Sequence, residues 1–389
     1  MRKTLLPLVI VSAILTTPGV AAAKIAPGSW SQDGYGPGNT GNNPSEHVIT
    51  AANVASLRYR WSLVSPVSRG SCMAQSPPVV ASGRLFLTDQ GGFAAYNAVT
   101  GARLWRKAMA GPADRQTPKL AVAGATLLAA ADTCGSTSDP DGDLTAYHAL
   151  TGAQRWTVHR DAPMDRLVVD GDVVVVGGGD ASVDAVTAYR LSDGKQLWNR
   201  TGVDLAAGVS AGGRLLLSRA DHRGALGVDL ATGQTLWTVA AEWWVLAADP
   251  AGQRFYAADP NGQLIALDAA TGTKAWAVKG VGGMNGGIAE VAVDPARIYV
   301  SHQDEVLALY TKNGRKAWSR DLFGAVGRPV VAGNVLYVPA ERQPLAMVEP
   351  STGNLLDDSS PIAGVFGHPV IVDGRLYVTD GRLLDTFGF

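Results

Sequence analysis

One eleven-residue pattern, repeated along most of the chain, limits the folds that this sequence can adopt. It first reads Ala95-Tyr-Asn-Ala-Val-Thr-Gly-Ala-Arg-Leu-Trp105, and later copies keep a small first residue, the Gly and the final Trp. Those copies end at Trp156, Trp198, Trp237, Trp276 and Trp318, and one more keeps Thr352-Gly353 but ends at Asp357. Counted from a leading Trp61, successive end positions lie 39 to 51 residues apart. Such a period predicts a solenoid or a propeller.

Each repeat has the pattern of four short β-strands. Upstream of the motif lies an apolar run broken by a Gly turn, as in Val79–Leu87 and Val330–Val338, which predicts a β-hairpin. The motif itself adds a strand, a Thr-Gly turn and an outer strand that ends in Trp. Four antiparallel strands in about 40 residues make one propeller blade. Frequent β-branched residues, with Gly at 46 of 389 positions, exclude a helical solenoid of similar period.

The two ends of the repeat region predict how the ring closes. The C-terminal hairpin Val370–Val378, with Leu383–Asp385 after it, lacks an outer strand, whereas Leu57–Trp61 is an outer strand without a blade. Joining them gives an all-β, eight-bladed β-propeller of four-stranded antiparallel blades, closed by N- and C-terminal strands that share one blade. A closed ring leaves no blade unpaired.

The conserved spacing of Trp and Gly within the motif predicts a structural role for both residue types. Gly permits a positive φ in the turn, and a Trp ring buries a large apolar surface between blades while its N–H binds a carbonyl. The residues interpreted in this way are Trp61, Trp105, Trp156, Trp198, Trp237, Trp276 and Trp318.

The N-terminus has the pattern of a cleaved export signal. Arg2-Lys3 precedes an apolar stretch from Leu5 to Leu15, and Ala21-Ala22-Ala23 supplies small residues for cleavage near Ala23. This predicts a signal peptide over residues 1–23 and one propeller domain over 24–389, secreted, extracellular or periplasmic. The apolar stretch is too short to span a bilayer. A formal charge of -1 and a pI near 6.6 also argue against nucleic acid as a partner.

Two cysteines, Cys72 and Cys134, are expected to form a disulfide in an exported protein. Cys72 precedes the first strand of blade 1, and Cys134 follows the second strand of blade 2. Loops of these two kinds open on the same face of neighbouring blades. The acidic turn Asp139–Asp143 is interpreted as a solvated loop, with calcium as the alternative; no metal site is predicted.

The repeated Ala-x-Asp-x-x-Thr-Gly-x-x-x-Trp pattern resembles the tryptophan-docking motif of the PQQ-type quinoprotein propellers. The runs Trp30–Gly36 and Ile49–Trp61 look like the entry segment of that superfamily. The resemblance covers nearly the whole predicted mature chain. It implies either a PQQ-dependent dehydrogenase or a non-enzymatic propeller like that of the outer-membrane β-barrel assembly machinery (BamB).

The cysteine spacing departs from the pattern of the enzymes. By resemblance, a quinoprotein dehydrogenase would carry adjacent cysteines beside its cofactor and a Glu/Asn/Asp set that holds Ca²⁺. Cys72 and Cys134 are not adjacent. No cofactor is therefore expected, and PQQ with calcium stays the alternative.

Loops that enter the innermost strands, or follow the second strands, are expected to surround a central funnel on one face, where a propeller binds its ligands. An aromatic pair occurs in one of these loops alone. Aromatic, Arg and His side chains there suit a planar acidic molecule, although the aromatic pair would equally serve to fill a wide channel. The candidate ligand-binding residues are Arg115, Arg166, Glu242, Trp243, Trp244, Met284, Asn285, His302, Arg328 and His368.

The first functional interpretation is a non-catalytic scaffold that binds a small molecule or a protein partner. The alternative is an enzyme with its site in the funnel, either a PQQ-dependent oxidoreductase or a lyase or cyclase. No catalytic residue can be assigned from the sequence, because fold resemblance alone does not specify chemistry.

Overall fold

A computed structural model describes most of the chain after its first 25 residues. The described residues are 26–64, 76–89, 91–109, 117–133, 141–178, 185–281, 290–324, 326–340, 344–357, 362, 367–379 and 382–389. The predicted signal peptide and both cysteines lie outside these ranges, so cleavage and the Cys72–Cys134 disulfide stay predictions.

The described strands form eight sheets, numbered blades 1 to 8 in chain order. Blade 1 contains Val79–Ala81, Arg84–Asp89, Gly92–Asn97 and Arg103–Ala108, and blade 2 contains Lys119–Ala123, Thr126–Asp132, Gly142–His148 and Gln154–Arg160. Blade 3 contains Arg166–Asp170, Val173–Gly178, Ala185–Arg190 and Gln196–Thr201, and blade 4 contains Val203–Asp204, Arg214–Arg219, Ala225–Asp229 and Thr235–Val239. Blade 5 contains Trp244–Ala248, Arg254–Ala258, Leu264–Asp268 and Lys274–Val278, and blade 6 contains Glu290–Val293, Arg297–His302, Glu305–Tyr310 and Lys316–Asp321. Blade 7 contains Val330–Ala332, Val335–Val338, Ala346–Val348 and Leu355–Asp357.

Blade 8 confirms the predicted closure of the ring. Its first three strands are Val370–Val372, Arg375–Thr379 and Leu383–Gly388, and its outer strand is Arg58–Val64 from the N-terminal side. The outer strand pairs antiparallel with Leu383–Gly388. The all-β, eight-bladed propeller is thus the fold of this chain. Among the described residues the only helix is the 3-10 turn Val54–Ser56, and none is long and apolar enough to cross a membrane.

Burial follows the position of a strand within its blade. The second strand of blade 3, Val173–Gly178, is buried along its whole length because neighbouring blades cover both of its faces. The outer strand Arg103–Ala108 alternates between exposed and half-buried residues, since only one of its faces contacts another blade. The core therefore lies between the blades.

Seven tryptophans join neighbouring blades, as the motif predicts, at every junction of the ring except that between blades 7 and 8. Each indole N–H donates to a backbone carbonyl of the following blade at 2.8 to 3.3 Å. Each ring also lies against the Gly of the turn that joins the third and outer strands of the following blade. At Gly233, φ is +69°, and an added Cβ would lie 2.7 Å from the Trp198 ring. The turn requires Gly because both the backbone conformation and the indole leave no room for a side chain.

Residues 30–43 occupy the middle of the ring, and we call them the axial segment. This segment makes at least one hydrogen bond to the innermost strand region of every blade, taken in order from blade 1 to blade 8. The paired residues are Trp30 with Val80, Ser31 with Val122, Gln32 with Val169, Pro37 with Ser210, Gly38 with Ala248, Thr40 with Val293, Gly41 with Val331 and Asn43 with Ile371. At its end, Asn42–Asn43 pairs parallel with the first strand of blade 7. The channel is thus filled by the chain itself.

Candidate functional site

The face of the ring on which the chain enters the innermost strands carries an open recess. We call this side the entry face. The recess has a volume of about 420 Å³ and lies beside the axial segment, between blades 3 and 7. Its lining consists of Asn39, Arg166, Asp204, Ala206, Ala207, Trp244, Val245, Leu246, Glu290, Val291 and Arg328.

The structure brings some of the sequence-predicted residues together and separates others. Arg166, Trp244 and Arg328 line the recess, and His368 contacts Glu290 at its edge. Three further candidates, Arg115, Met284 and Asn285, lie outside the described residues, so their placement stays a prediction. The remaining three, Glu242, Trp243 and His302, are not among the residues that line the recess.

The two adjacent tryptophans have different environments. Trp243 is buried in a cluster formed by blades 4 and 5, and its backbone carbonyl accepts a hydrogen bond from the Ser218 hydroxyl at 2.7 Å. Trp244 begins the innermost strand of blade 5 and presents its half-buried side chain to the recess. Successive strand residues point to opposite sides. Trp243 therefore belongs to the core between two blades, and Trp244 alone of the pair faces the recess; whether it binds a ligand stays a prediction.

Glu242 and His302, which do not line the recess, have other neighbours. The Glu242 carboxylate lies 2.7 Å from Nδ1 of His222, whose side chain is mostly exposed. His302 ends the second strand of blade 6, and its buried Nε2 atom has no hydrogen-bond partner.

A charged cluster joins blades 6 and 8 to the axial segment. Nδ1 of His368 lies 3.1 Å from Oδ1 of Asp33, and its Nε2 lies 3.4 Å from the Glu290 carboxylate. Burial by itself lowers the pKa of His368, but the charge of Asp33 and the hydrogen bonds to both carboxylates outweigh it and raise the pKa to about 9. Burial also opposes ionisation of Asp33 and Glu290, yet His368 and Arg328 hold both pKa values below their usual range. His368 is therefore an imidazolium between two carboxylates at neutral pH.

Arg328 attaches blade 7 to the same segment. Its guanidinium is buried and donates to the Asn39 carbonyl at 2.9 Å and to the Asn39 side-chain oxygen at 2.7 Å. Asn39 in turn donates to the carbonyl of Leu246 in blade 5 at 2.7 Å. The sequence predicts Arg328 as a ligand-binding cation, but its donors are directed mainly at the protein's own axial segment.

A second charged cluster lies at the junction of blades 2 and 3. Oδ2 of Asp165 forms an ion pair with Arg166 at 2.5 Å. Asp132 is buried, and one oxygen of each aspartate has no hydrogen-bond partner. Burial, and then the charge of Asp165, raise the pKa of Asp132 to about 7; burial also raises the pKa of Asp165. Lys119 and Arg166 offset only part of this effect.

Sequence reasoning missed four acidic residues of this face. Asp33 is in the axial segment, Asp132 ends a strand of apolar residues, and Asp204 and Glu290 begin or end very short innermost strands. Asp204 and Glu290 occupy the same strand position as Arg166 and Trp244, so aligning the repeats on their first strands would have found them. Nothing in the repeat indicates Asp33, because the axial segment precedes it.

Comparison with known proteins identifies a matching family and a protein of similar sequence. A family model described as outer membrane protein assembly factor BamB matches residues 45–202 and 184–385. The outer membrane protein assembly factor BamB of Shewanella oneidensis is 25% identical over 350 residues, which cover 82% of this chain and 85% of that protein.

Among solved structures, a quinohemoprotein alcohol dehydrogenase of Pseudomonas putida HK5 superposes with a TM-score of 0.69 at 16% identity, over 93% of this chain and 80% of that one. BamB of Moraxella catarrhalis superposes with a TM-score of 0.58 at 16% identity, over 86% of this chain and 98% of that one. At such identities the two structures share the fold alone. Because the family model matches both halves of the ring, this chain belongs to the BamB family of β-propellers.

Proposed function

We propose that this propeller is a non-catalytic docking protein that holds an extended segment of a protein partner in the recess of its entry face. One observation carries the proposal: the chain fills its own channel with residues 30–43, in contact with all eight blades. The axis, where a propeller of this size has room for a small molecule, is therefore taken. On the entry face, the recess beside the axis stays open.

The lining of the recess favours a partner with an apolar and a basic side chain. Trp244 supplies the exposed part of the apolar wall, with the buried Val245 and Val291 beside it. Asp204 lies in the same lining and forms no ion pair in the described part of the chain, whereas the Glu290 carboxylate is paired with His368. The cations there are already engaged, because Arg166 is paired with Asp165 and Arg328 with the axial segment. These charges favour a Lys or Arg beside an apolar residue over the planar acidic molecule expected from the sequence.

PQQ with calcium does not fit this arrangement. An acidic quinone needs unpaired cations, and the arginines of the recess are bound to protein acceptors. A calcium ion needs several free oxygen ligands, yet the space between Asp33 and Glu290 is occupied by the imidazolium of His368. The residues of the entry face that the structure describes therefore support no step that passes through this cofactor.

The relatives support the same function. The similar protein of Shewanella oneidensis is named an outer membrane protein assembly factor, and the structure from Moraxella catarrhalis is named BamB. We propose an equivalent role for this chain, in an exported location that agrees with the predicted signal peptide.

A photo-crosslinking experiment tests the proposal. A benzophenone amino acid is placed at Trp244 of the full-length protein in its own cells, and the products are identified by mass spectrometry. We expect one dominant protein adduct. The matched control places the same amino acid at Leu236, an exposed residue on the outer strand of blade 4. A second variant, Ala207→Arg, fills the recess and should abolish the adduct from position 244. Equal adducts from positions 244 and 236, or none from either, would contradict docking in the recess.

The alternative function is an enzyme, and the Asp132–Asp165 pair is the observation that favours it. A carboxyl group with a pKa near 7 is suited to general acid catalysis. Asp132 is buried and is not among the residues that line the recess, so a substrate held there does not reach it. Turnover that disappears in Asp132→Asn while the crosslink at position 244 persists would establish this alternative instead.

A further inference from the structure

A group of metal-ligating side chains lies on blade 2, apart from the recess. His159 is near the end of the outer strand Gln154–Arg160, Asp161 follows that strand, and Asp141 precedes the neighbouring strand Gly142–His148. Nε2 of His159 lies 3.6 Å from a carboxylate oxygen of Asp141 and 3.7 Å from one of Asp161. One donor atom from each of the three residues lies within 4.8 Å of the other two.

A fourth side chain orients the imidazole. Asp143 is directly opposite His159 in the strand pairing, and its carboxylate lies 2.9 Å from Nδ1. A carboxylate that accepts the Nδ1 proton leaves the Nε2 lone pair directed at Asp141 and Asp161. Metal-binding histidines commonly have such a carboxylate behind them, which fixes the tautomer and makes the ligand more basic.

We infer that His159, Asp141 and Asp161 bind one divalent transition-metal ion of the Mn²⁺ to Zn²⁺ class, with Asp143 as the positioning residue. Two ligands of a tetrahedral ion at about 2.1 Å are about 3.4 Å apart, so the observed separations of 3.6 and 3.7 Å require only small side-chain movements. The three carboxylates outweigh the single imidazole in charge, which favours a cation.

The donor set selects the class of metal. One imidazole nitrogen and carboxylate oxygens suit ions from manganese to zinc, whereas Ca²⁺ takes six to eight oxygen ligands. The proposed site therefore has mixed nitrogen and oxygen ligands and includes a residue from the adjacent strand. The His159 side chain is 53% exposed, so an ion has direct access from solvent.

A titration with ZnCl2 tests this site. The mature protein is treated with EDTA, exchanged into metal-free buffer and titrated by calorimetry, and CoCl2 is used in parallel as a spectroscopic probe. We expect one ion per chain. We also expect at least about tenfold weaker binding in His159→Ala and Asp161→Asn, and a loss of about tenfold in Asp143→Asn, which retains all three ligands. The cobalt complex should show d–d bands without thiolate charge transfer, which separates this site from Cys72 and Cys134.

The matched control is His222→Ala, because His222 also pairs with a carboxylate, that of Glu242, but no second carboxylate of the described residues pairs with its ring. It should bind zinc as the wild type does. Circular dichroism shows whether each variant is folded. If His159→Ala does not fold, Asp161→Asn provides the test of the ligand set. Unchanged zinc affinity in both His159→Ala and Asp161→Asn, or equal loss in His222→Ala, would overturn the assignment. Binding only at millimolar zinc would overturn it as well.

Discussion

Nδ1 of His368 lies 3.1 Å from Oδ1 of Asp33, which joins the last blade of the ring to the axial segment that precedes the first. The ring is thus closed in two ways: by the shared strands of blade 8, and by ion pairs between that blade and the segment inside the channel. Glu290 extends this connection to blade 6.

The first prediction concerns the pH dependence of this connection. Because the pKa of His368 is raised to about 9 in the folded protein, its charge adds stability fully below about pH 6.5, and this contribution is lost as the pH rises through 9. His368→Gln should lower the free energy of unfolding by about 2 kcal/mol at pH 6 and by much less at pH 10. Urea denaturation at both pH values measures this. His222→Gln, at an exposed pair, should change stability little at either pH. An equal loss at pH 6 and pH 10 in His368→Gln would contradict the charged state.

The second prediction isolates the contribution of tryptophan docking. Gly233 and Gly202 have the same backbone conformation, with φ of +69° and +70°, but only Gly233 lies against a Trp ring. Gly202→Ala should cost about 1 kcal/mol from backbone strain alone. Gly233→Ala should cost about 2 kcal/mol more, because its Cβ displaces Trp198. Thermal unfolding of both variants measures the difference, and equal losses would show that the indole contact adds nothing.

The third prediction concerns Asp132. Its pKa of about 7 in the folded protein lies above the value of an unfolded Asp, so the folded state loses stability as the pH rises from about 4 to 7. Asp132→Asn should remove this dependence and raise the free energy of unfolding at pH 8 by about 2 kcal/mol. Chemical denaturation at pH 5 and pH 8 provides the test. A variant that is less stable than the wild type at pH 8 would contradict the burial of a charge.

The fourth prediction concerns the axial segment. The Gln32 side chain donates to the Val169 carbonyl at 3.0 Å and accepts from the Val169 N–H at 2.9 Å. Gln32→Ala leaves both groups buried and unsatisfied, so it should cost about 3 kcal/mol. Hydrogen exchange at Val169 should accelerate accordingly. The control Gln154→Ala, at an exposed strand end, should do neither. Unchanged exchange at Val169 would show that the segment leaves the channel readily.

The sequence predicts the fold well, because one repeated interaction determines it. Each Trp and the Gly turn of the next blade are both visible in the motif, and the exception is also explained. Asp357 replaces Trp before blade 8, and there the third and outer strands come from opposite ends of the chain, so no Thr-Gly turn joins them. Trp has nothing to dock against at that position.

The candidate site is harder to predict from the sequence than the fold is. Loop position correctly selects Arg166 and Trp244, but it cannot show that Arg328 is used by Asn39 or that Trp243 points into the core. Those outcomes depend on the axial segment and on the alternation of strand residues. The axial segment brings together groups that are remote in sequence, such as Asp33 and His368.

The most direct measurement is a titration of the purified mature protein with PQQ, in the presence and absence of Ca²⁺, followed by tryptophan fluorescence. Trp244 lies in the recess beside the channel, so a quinone bound on this face would quench it. Because the axial segment fills the channel and the two arginines that line the recess are paired, we predict no saturable quenching under either condition. Saturable, calcium-dependent quenching at one PQQ per chain would contradict the account and would favour an oxidoreductase.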